Sequence, residues 1–91
     1  IIALADGRPV YLSIDIDVVD PAFAPGTGTP EPGGLTSWDI LKAAYRLNCD
    51  LTTVAMDIME VLPAKDVSDT TTKLANRIIV KSLLAKSTVS L

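Results

Sequence analysis

Histidine is absent from this 91-residue chain, and cysteine occurs only once. A lone thiol forms no internal disulfide, and without an imidazole to activate it Cys49 is not expected to act as a nucleophile. We predict instead a buried or half-buried thiol that packs at a helix end, in a reducing compartment. The cytoplasm fits this prediction. A mitochondrial location stays open, because the chain starts at Ile1 without a signal-peptide pattern and looks like a piece of something longer.

Aromatic residues make up only 4% of the chain, and no apolar run is long enough to cross a membrane. The hydrophobic fraction is nevertheless 48%, which excludes a disordered chain and indicates an aliphatic core, as in α/β proteins. The net charge is −3, and the basic residues are scattered rather than clustered. We therefore expect neither nucleic acid nor a membrane as a partner.

Two carboxylates end the first apolar run of the chain. The segment 10–17 is short and rich in β-branched residues, which predicts a strand buried on both faces. Because side chains alternate along a strand, Ser13, Asp15 and Asp17 would share one side at the carboxyl end, where open α/β sheets bind ligands. Carboxylates this close need compensating positive charge, and a metal ion would supply it. The alternative is a solvated strand end at which both carboxylates only cap turns.

A loop rich in proline and glycine follows the carboxylates and occupies residues 18–35. It has no periodic apolar pattern, and an ordered connection of this length is usually functional. Its Thr-Gly and Pro-Gly steps let backbone N–H groups approach a ligand, although such steps also form turns without one. We interpret the loop as part of a site at the carboxyl end of the strand.

The other segments alternate between helical and strand patterns, in the order helix end and linker 1–9, helix 36–48, strand 51–60 and helix 66–86. Thr36, with Asp39 three residues later, predicts a capping box at the start of one helix. Asp66 or Ser68 can cap the last helix. This order predicts a β-α-β-α portion of a larger three-layer α/β/α fold with a parallel sheet.

A third acidic side chain is predicted at the same edge of the sheet. Alternation along the second strand puts Glu60 and Asp57 on opposite faces, with Glu60 at the carboxyl end. Parallel neighbouring strands end at the same edge, so Glu60 would emerge beside Asp15 and Asp17. A salt bridge at a strand end is the ordinary role of such a residue.

Several sequence blocks together resemble the signature of one protein family. They are S-x-D-x-D-x-x-D-P over 13–21, P-G-T-G-T-P over 25–30, G-G-L-T over 33–36 and M-D-I-M-E-V-x-P over 56–63. In content and order they resemble the C-terminal part of the ureohydrolases, the arginase and agmatinase family. The form P-E-P-G-G over 30–34 resembles the agmatinase-like branch. The resemblance extends over nearly the whole chain and implies an arginase-like fold.

The resemblance also implies a hydrolase with two Mn²⁺ ions in each complete site, in which a bridging hydroxide attacks a guanidinium carbon and urea leaves. It makes Asp15 and Asp17 metal ligands. Glu60 would bind the cationic guanidino substrate and Thr29 would orient it. Three further residues would support this arrangement, namely Ser13 as a donor to the carboxylates, Asp20 and Asp57. The family takes its other ligands from upstream histidines and aspartates, so we expect the fragment alone to be inactive and the full-length protein to form a homo-oligomer.

Agmatine, hydrolysed to putrescine and urea, is the substrate that the branch resemblance favours; a guanidinobutyrase, a guanidinopropionase or an arginase are alternatives within the family. Two other classes stay open. The D-x-D-x-[TV] pattern over 15–19 matches haloacid-dehalogenase-type phosphohydrolases, for which Lys65 is the candidate catalytic lysine, but that class leaves the loop unexplained. The third possibility is a non-catalytic truncated chain or assembly module that uses its helical faces.

Overall fold

The computed structural model describes residues 2–89, and two parallel strands and two long helices dominate this part of the chain. The elements are helix α1 Ile2–Ala5, strand β1 Pro9–Asp15, a 3₁₀ turn Ile16–Val18, helix α2 Ser37–Asp50, strand β2 Thr52–Met59, a second 3₁₀ turn Pro63–Lys65 and helix α3 Thr70–Val89. The predicted α/β architecture with a parallel sheet is confirmed. No helix within residues 2–89 is both long enough and apolar enough to cross a membrane.

Strands β1 and β2 pair in a register that decides which side chains are neighbours. Ser13 lies opposite Asp57, Ile14 opposite Ile58, and Asp15 opposite Met59. In a parallel pair, residues opposite each other point to the same face of the sheet. One face therefore carries the isoleucines, and the other carries Ser13 and Asp57.

The core lies between the isoleucine face of the sheet and both long helices. Its buried members come from the strand, the loop and the two helices, namely Ile14, Ile16, Val19, Ala24, Ile40, Ala44, Leu74 and Ile78. Helices α2 and α3 pack on each other and share this core, so both cover the same face. The prediction that β1 is buried on both faces is wrong for residues 2–89: Tyr11, on the opposite face, is 63% exposed. Both long helices thus lie on one side of the sheet.

The first strand ends earlier than its sequence pattern predicts. It stops at Asp15, and Ile16–Val18 forms a 3₁₀ turn capped by the Asp15 carboxylate, which accepts a hydrogen bond from the Asp17 N–H. Ile16 is fully buried at this turn. The predicted strand 10–17 therefore ends two residues too late, because a local cap and the burial of Ile16 turn the chain inward. Asp17 does not continue the alternation of Ser13 and Asp15.

The helix caps follow the sequence closely, whereas the start of α3 does not. The capping box of Thr36 and Asp39 is confirmed, and α2 runs to Asp50, two residues beyond the predicted 36–48. The Asp66 carboxylate accepts the backbone N–H groups of Thr71 and Thr72, which confirms Asp66 as a cap. Helix α3 nevertheless begins at Thr70, not at residue 66, because Ser68 and Asp69 adopt positive φ angles of 52° and 58°. Cys49 is a free, half-buried thiol near the end of α2.

Candidate active site

The strand register brings acidic residues to one edge of the sheet. Asp15 ends β1 opposite Met59, which ends β2, and Glu60 follows Met59 directly. Asp17 lies in the turn immediately after Asp15. Asp15 and Glu60 are exposed, and Asp17 is half-buried. The carboxyl edge of this sheet thus presents three carboxylates from two neighbouring strands.

Asp17 is held in place by the Pro/Gly loop. The hydroxyl of Thr29 donates a hydrogen bond of 2.9 Å to Oδ2 of Asp17. Thr29 was predicted to orient a substrate, and in this structure its hydroxyl contacts a predicted metal ligand. This contact joins the loop after β1 to the carboxylates at the end of that strand.

Asp15 and Asp17 retain most of their capacity to accept further bonds. Each side chain accepts one hydrogen bond, from the Asp17 N–H and from Thr29 respectively. The ion pair recorded in residues 2–89 joins Arg46 and Asp50 on the surface of α2, so no basic side chain described here neutralises the two carboxylates. Hard anionic oxygens with free lone pairs are the ligands that Mg²⁺ and Mn²⁺ prefer.

The two carboxylates fit a metal ion as part of a site. Within residues 2–89, no group of three or more histidine, cysteine or acidic side chains is arranged to hold a metal. Two oxygen ligands leave most of a six-coordinate shell to be filled. A metal ion held by these two carboxylates would take its other ligands from water, from substrate or from other residues.

Glu60 has an unusual backbone conformation. Its φ angle is +71°, in the left-handed region that favours glycine. A long side chain in this region costs free energy, and such residues persist where surrounding structure enforces them, often at functional sites. The chain after Glu60 is tied to the loop by the Leu62 N–H, which donates to the Gly26 carbonyl at 2.7 Å. The strain therefore falls on the acidic residue that the sequence indicates as a substrate ligand.

Ser13 contacts a different carboxylate from the one predicted. Its hydroxyl donates to Oδ1 of Asp57 at 2.6 Å, and the Tyr11 hydroxyl donates to Oδ2 of the same group. These two bonds lower the pKa of Asp57, Ser13 contributing most, and the bond to Asp57 raises the pKa of Tyr11. The prediction that Ser13 donates to Asp15 and Asp17 is wrong. Asp57 lies directly opposite Ser13 in the neighbouring strand and is closer to it than a residue two positions further along β1.

The predicted support residue Asp57 therefore lies on the Ser13 face of the sheet. Ser13, Tyr11 and Asp57 form a hydrogen-bonded group, the Asp57 cluster, and the sequence pattern did not indicate Tyr11 as a member. The pairing of Tyr11 with Ala55 and of Ser13 with Asp57 puts all three polar side chains on one face. Alternation alone gives the face within each strand; the inter-strand register is needed to show which polar groups meet.

Asp20 organises the loop and does not contact the carboxylates of Asp15 and Asp17. Its Oδ1 accepts the Ala22 N–H and its Oδ2 accepts the Gly33 N–H, both at 2.9 Å. These backbone donors lower the pKa of Asp20, and the Ala22 N–H contributes most. The Asp20 N–H donates to the Leu35 carbonyl, and the Leu35 N–H donates to Val18, which closes the two ends of the loop together.

This fold and site define an α/β protein whose parallel sheet carries acidic side chains at its carboxyl edge. The model of the Arginase family matches residues 1–85. The chain therefore belongs to the arginase family, which agrees with the resemblance of its sequence blocks and is incompatible with the haloacid-dehalogenase alternative.

Proclavaminate amidinohydrolase of Streptomyces clavuligerus is 59% identical to this chain over 71 residues, which are 78% of the chain and 22% of that protein. Agmatinase of Bacillus anthracis is 48% identical over 80 residues, 87% of the chain and 28% of that protein. Among solved structures, that of the Streptomyces enzyme has a TM-score of 0.84 at 50% identity. This match covers 90% of our chain and 28% of the Streptomyces chain. Formimidoylglutamase of Bacillus subtilis has a TM-score of 0.90 at 26% identity, over 99% and 28% of the two chains. The chain thus spans about a quarter of the length of the relatives it matches.

Proposed function

We propose that this chain carries part of the active site of a metal-dependent hydrolase that releases urea from a guanidino compound. The observation that carries this proposal is the meeting of Asp15, Asp17 and the strained Glu60 at one sheet edge. Membership of the arginase family and the agmatinases among the relatives support it.

In this proposal Asp15 and Asp17 hold Mn²⁺, together with ligands from residues outside the described chain. When bound, the metal would activate water as a nucleophile and would stabilise the charge that develops in the transition state. Thr29 fixes the orientation of the Asp17 carboxylate by its hydrogen bond. The chain thus contributes ligands and their alignment to the metal site.

Glu60 receives the substrate in this proposal. A guanidinium is planar and offers parallel N–H groups, and a carboxylate accepts two of them side by side. Positive φ fixes the departure of the Glu60 backbone from β2. The charge of the substrate is therefore met by a carboxylate held at the same edge as the metal ligands.

Agmatine is the substrate that we propose. Its support is the P-E-P-G-G form over 30–34 and the agmatinases among the relatives. Guanidinobutyrate, guanidinopropionate and arginine carry the same guanidino group, so the residues that read the far end of the molecule decide between them.

The test is a urea assay of the full-length protein with Mn²⁺ against agmatine, arginine and 4-guanidinobutyrate. We expect agmatine to give the highest kcat/KM. Asp15→Asn and Asp17→Asn are expected to lose at least a hundredfold in activity, because each removes an anionic ligand. Asp50→Asn, which removes an exposed carboxylate of α2, is the matched control. Wild-type protein that releases no urea from any of the three compounds, or ligand variants as active as Asp50→Asn, would contradict the proposal.

A further inference from the structure

Gly26, in the middle of the Pro/Gly loop, is bound through both of its backbone polar groups. Its N–H donates to Oγ1 of Thr71 at 2.8 Å in a buried position, and its carbonyl accepts the Leu62 N–H at 2.7 Å. One partner belongs to the first turns of α3 and the other to the segment after β2. The loop is therefore fastened at this residue to two separate parts of the fold.

Thr71 is itself held by a carboxylate. It is fully buried, and its backbone N–H donates to Oδ1 of Asp66 at 2.8 Å. Burial works to raise the pKa of Asp66, but the hydrogen bonds from Thr71 and Thr72 together outweigh it and hold that pKa well below its ordinary value. Asp66 thus fixes the backbone of Thr71, and the hydroxyl of Thr71 accepts the hydrogen bond from the Gly26 N–H.

The fit around Gly26 leaves no room for a side chain. A Cβ at this position would lie 2.9 Å from Oγ1 of Thr71 and 3.0 Å from Cβ of Asp66. At Gly28, two residues further on, a Cβ would meet nothing within 4 Å. The close approach is therefore a property of the Gly26 contact and not of the loop as a whole.

This fastened point lies three residues before Thr29, whose hydroxyl contacts Asp17. We propose that Thr71, oriented by Asp66, is a positioning residue: its bond to Gly26 locks the loop and so places Thr29 against the metal ligand Asp17. The assignment of Asp17 as a ligand rests on the proposed function; the lock itself rests on the hydrogen bonds. Thr71 lies on α3, outside the sequence blocks that carry the family resemblance.

The test compares Thr71→Val, which keeps the shape and removes the hydroxyl, with Thr71→Ser, which keeps the hydroxyl, in the full-length protein. The matched control is Thr72→Val, which removes an exposed hydroxyl that bonds to the same Asp66 carboxylate but does not contact the loop. The first readout is amide hydrogen exchange of residues 26–29 in metal-free protein, and the second is Mn²⁺ affinity by titration.

In Thr71→Val we expect loop exchange to be faster by roughly tenfold or more, since a buried N–H loses its acceptor. Mn²⁺ affinity should fall by roughly tenfold, the lower range seen when support of a ligand is removed. Thr71→Ser should keep the loop exchange rate and the Mn²⁺ affinity of the wild type, and Thr72→Val should change neither quantity. Loop exchange or Mn²⁺ affinity in Thr71→Val equal to that of Thr72→Val overturns the proposal.

If Thr71→Val does not fold, Gly26→Ala tests the same contact from the other side, with Gly28→Ala as its control. Faster loop exchange in Gly26→Ala alone supports the lock, and equal exchange in the two glycine variants overturns it. If the wild-type protein releases no urea, the proposed function is refuted. Loop exchange and Mn²⁺ affinity still test the hydrogen bond between Thr71 and Gly26. The two proposals therefore fail by different observations.

Discussion

Glu60 combines a strained backbone with a side chain assigned to substrate binding. A non-glycine residue in the left-handed region costs about 1–2 kcal/mol. We predict that Glu60→Gly raises the free energy of unfolding of the full-length protein by about 1 kcal/mol relative to Glu60→Gln, because glycine adopts this conformation without strain. Both variants should lose guanidino hydrolysis. Chemical denaturation and the urea assay measure the two effects, and a Gly variant no more stable than the Gln variant would show that the strain is absent.

The Asp57 cluster predicts a pH-dependent contribution to stability. Hydrogen bonds from Ser13 and Tyr11 lower the pKa of Asp57 below its ordinary 3.8. A lowered pKa stabilises the folded state above pH 3.8, and the contribution disappears as the pH falls through the folded-state value. Removing both hydroxyls, in Tyr11→Phe with Ser13→Ala, should therefore destabilise the protein most at neutral pH and progressively less in acid.

Urea denaturation at several pH values between 2 and 7 measures this difference, which should shrink below about pH 4. Tyr45→Phe, which removes a tyrosine hydroxyl on α2 away from Asp57, is the control and should give the same small difference at every pH. A destabilisation by the double variant that is independent of pH would mean that its hydroxyls do not act through the Asp57 carboxylate.

At the scale of single residues, the sequence indicates which carboxylates lie at the sheet edge but not which donors they receive. Alternation and chain order suffice to place Asp15 and Glu60 at a common edge. Ser13 was assigned to the wrong acceptor because a bond across strands depends on register, and the irregularity between Val10 and Tyr11 shifts that register. Such a shift leaves no mark in the hydrophobic pattern.

The loop element depends on one close contact where its two ends meet. A Cβ at Gly34 would lie 2.7 Å from the Asp20 nitrogen and 2.7 Å from the Val18 oxygen, both backbone atoms with little freedom to move. We predict that Gly34→Ala destabilises the protein by about 1–3 kcal/mol, the usual cost of overpacking. Gly28→Ala, with open space at its Cβ, should change stability by less than about 0.5 kcal/mol. Thermal unfolding of the two variants decides the matter, and equal melting temperatures would contradict the predicted clash.

Among the elements, a start set by a capping box three residues apart could be predicted, and ends that depend on burial or on a longer side-chain reach could not. The capping box of Thr36 with Asp39 uses side chains three residues apart, so the start of α2 is readable from the sequence. The start of α3 depends on Asp66 reaching over several residues to the N–H groups of Thr71 and Thr72. Asp66 could be identified as a cap, but the positive φ angles that delay the helix arise from that longer reach.

At the scale of the whole molecule, the described chain is one side of a layered fold. Helices α2 and α3 share the core on one face of the sheet, and the other face carries the exposed Tyr11 with the Asp57 cluster. The three-layer α/β/α prediction requires a further layer on that face. The relatives are about three times as long as this chain, so the residues that would supply such a layer have no counterpart here.

The last prediction concerns the 91-residue chain by itself. It has no histidine, and within residues 2–89 no three potential ligands are arranged around a metal. We predict that the purified chain releases no urea from agmatine with Mn²⁺ and that millimolar Mn²⁺ leaves its melting temperature unchanged, because a ligand stabilises a fold only when its concentration exceeds its Kd. The full-length protein, treated identically, should release urea and melt at a higher temperature with Mn²⁺. Urea release by the 91-residue chain would show that two carboxylates and Glu60 suffice, and the division of the site between this chain and the rest of the protein would then be wrong.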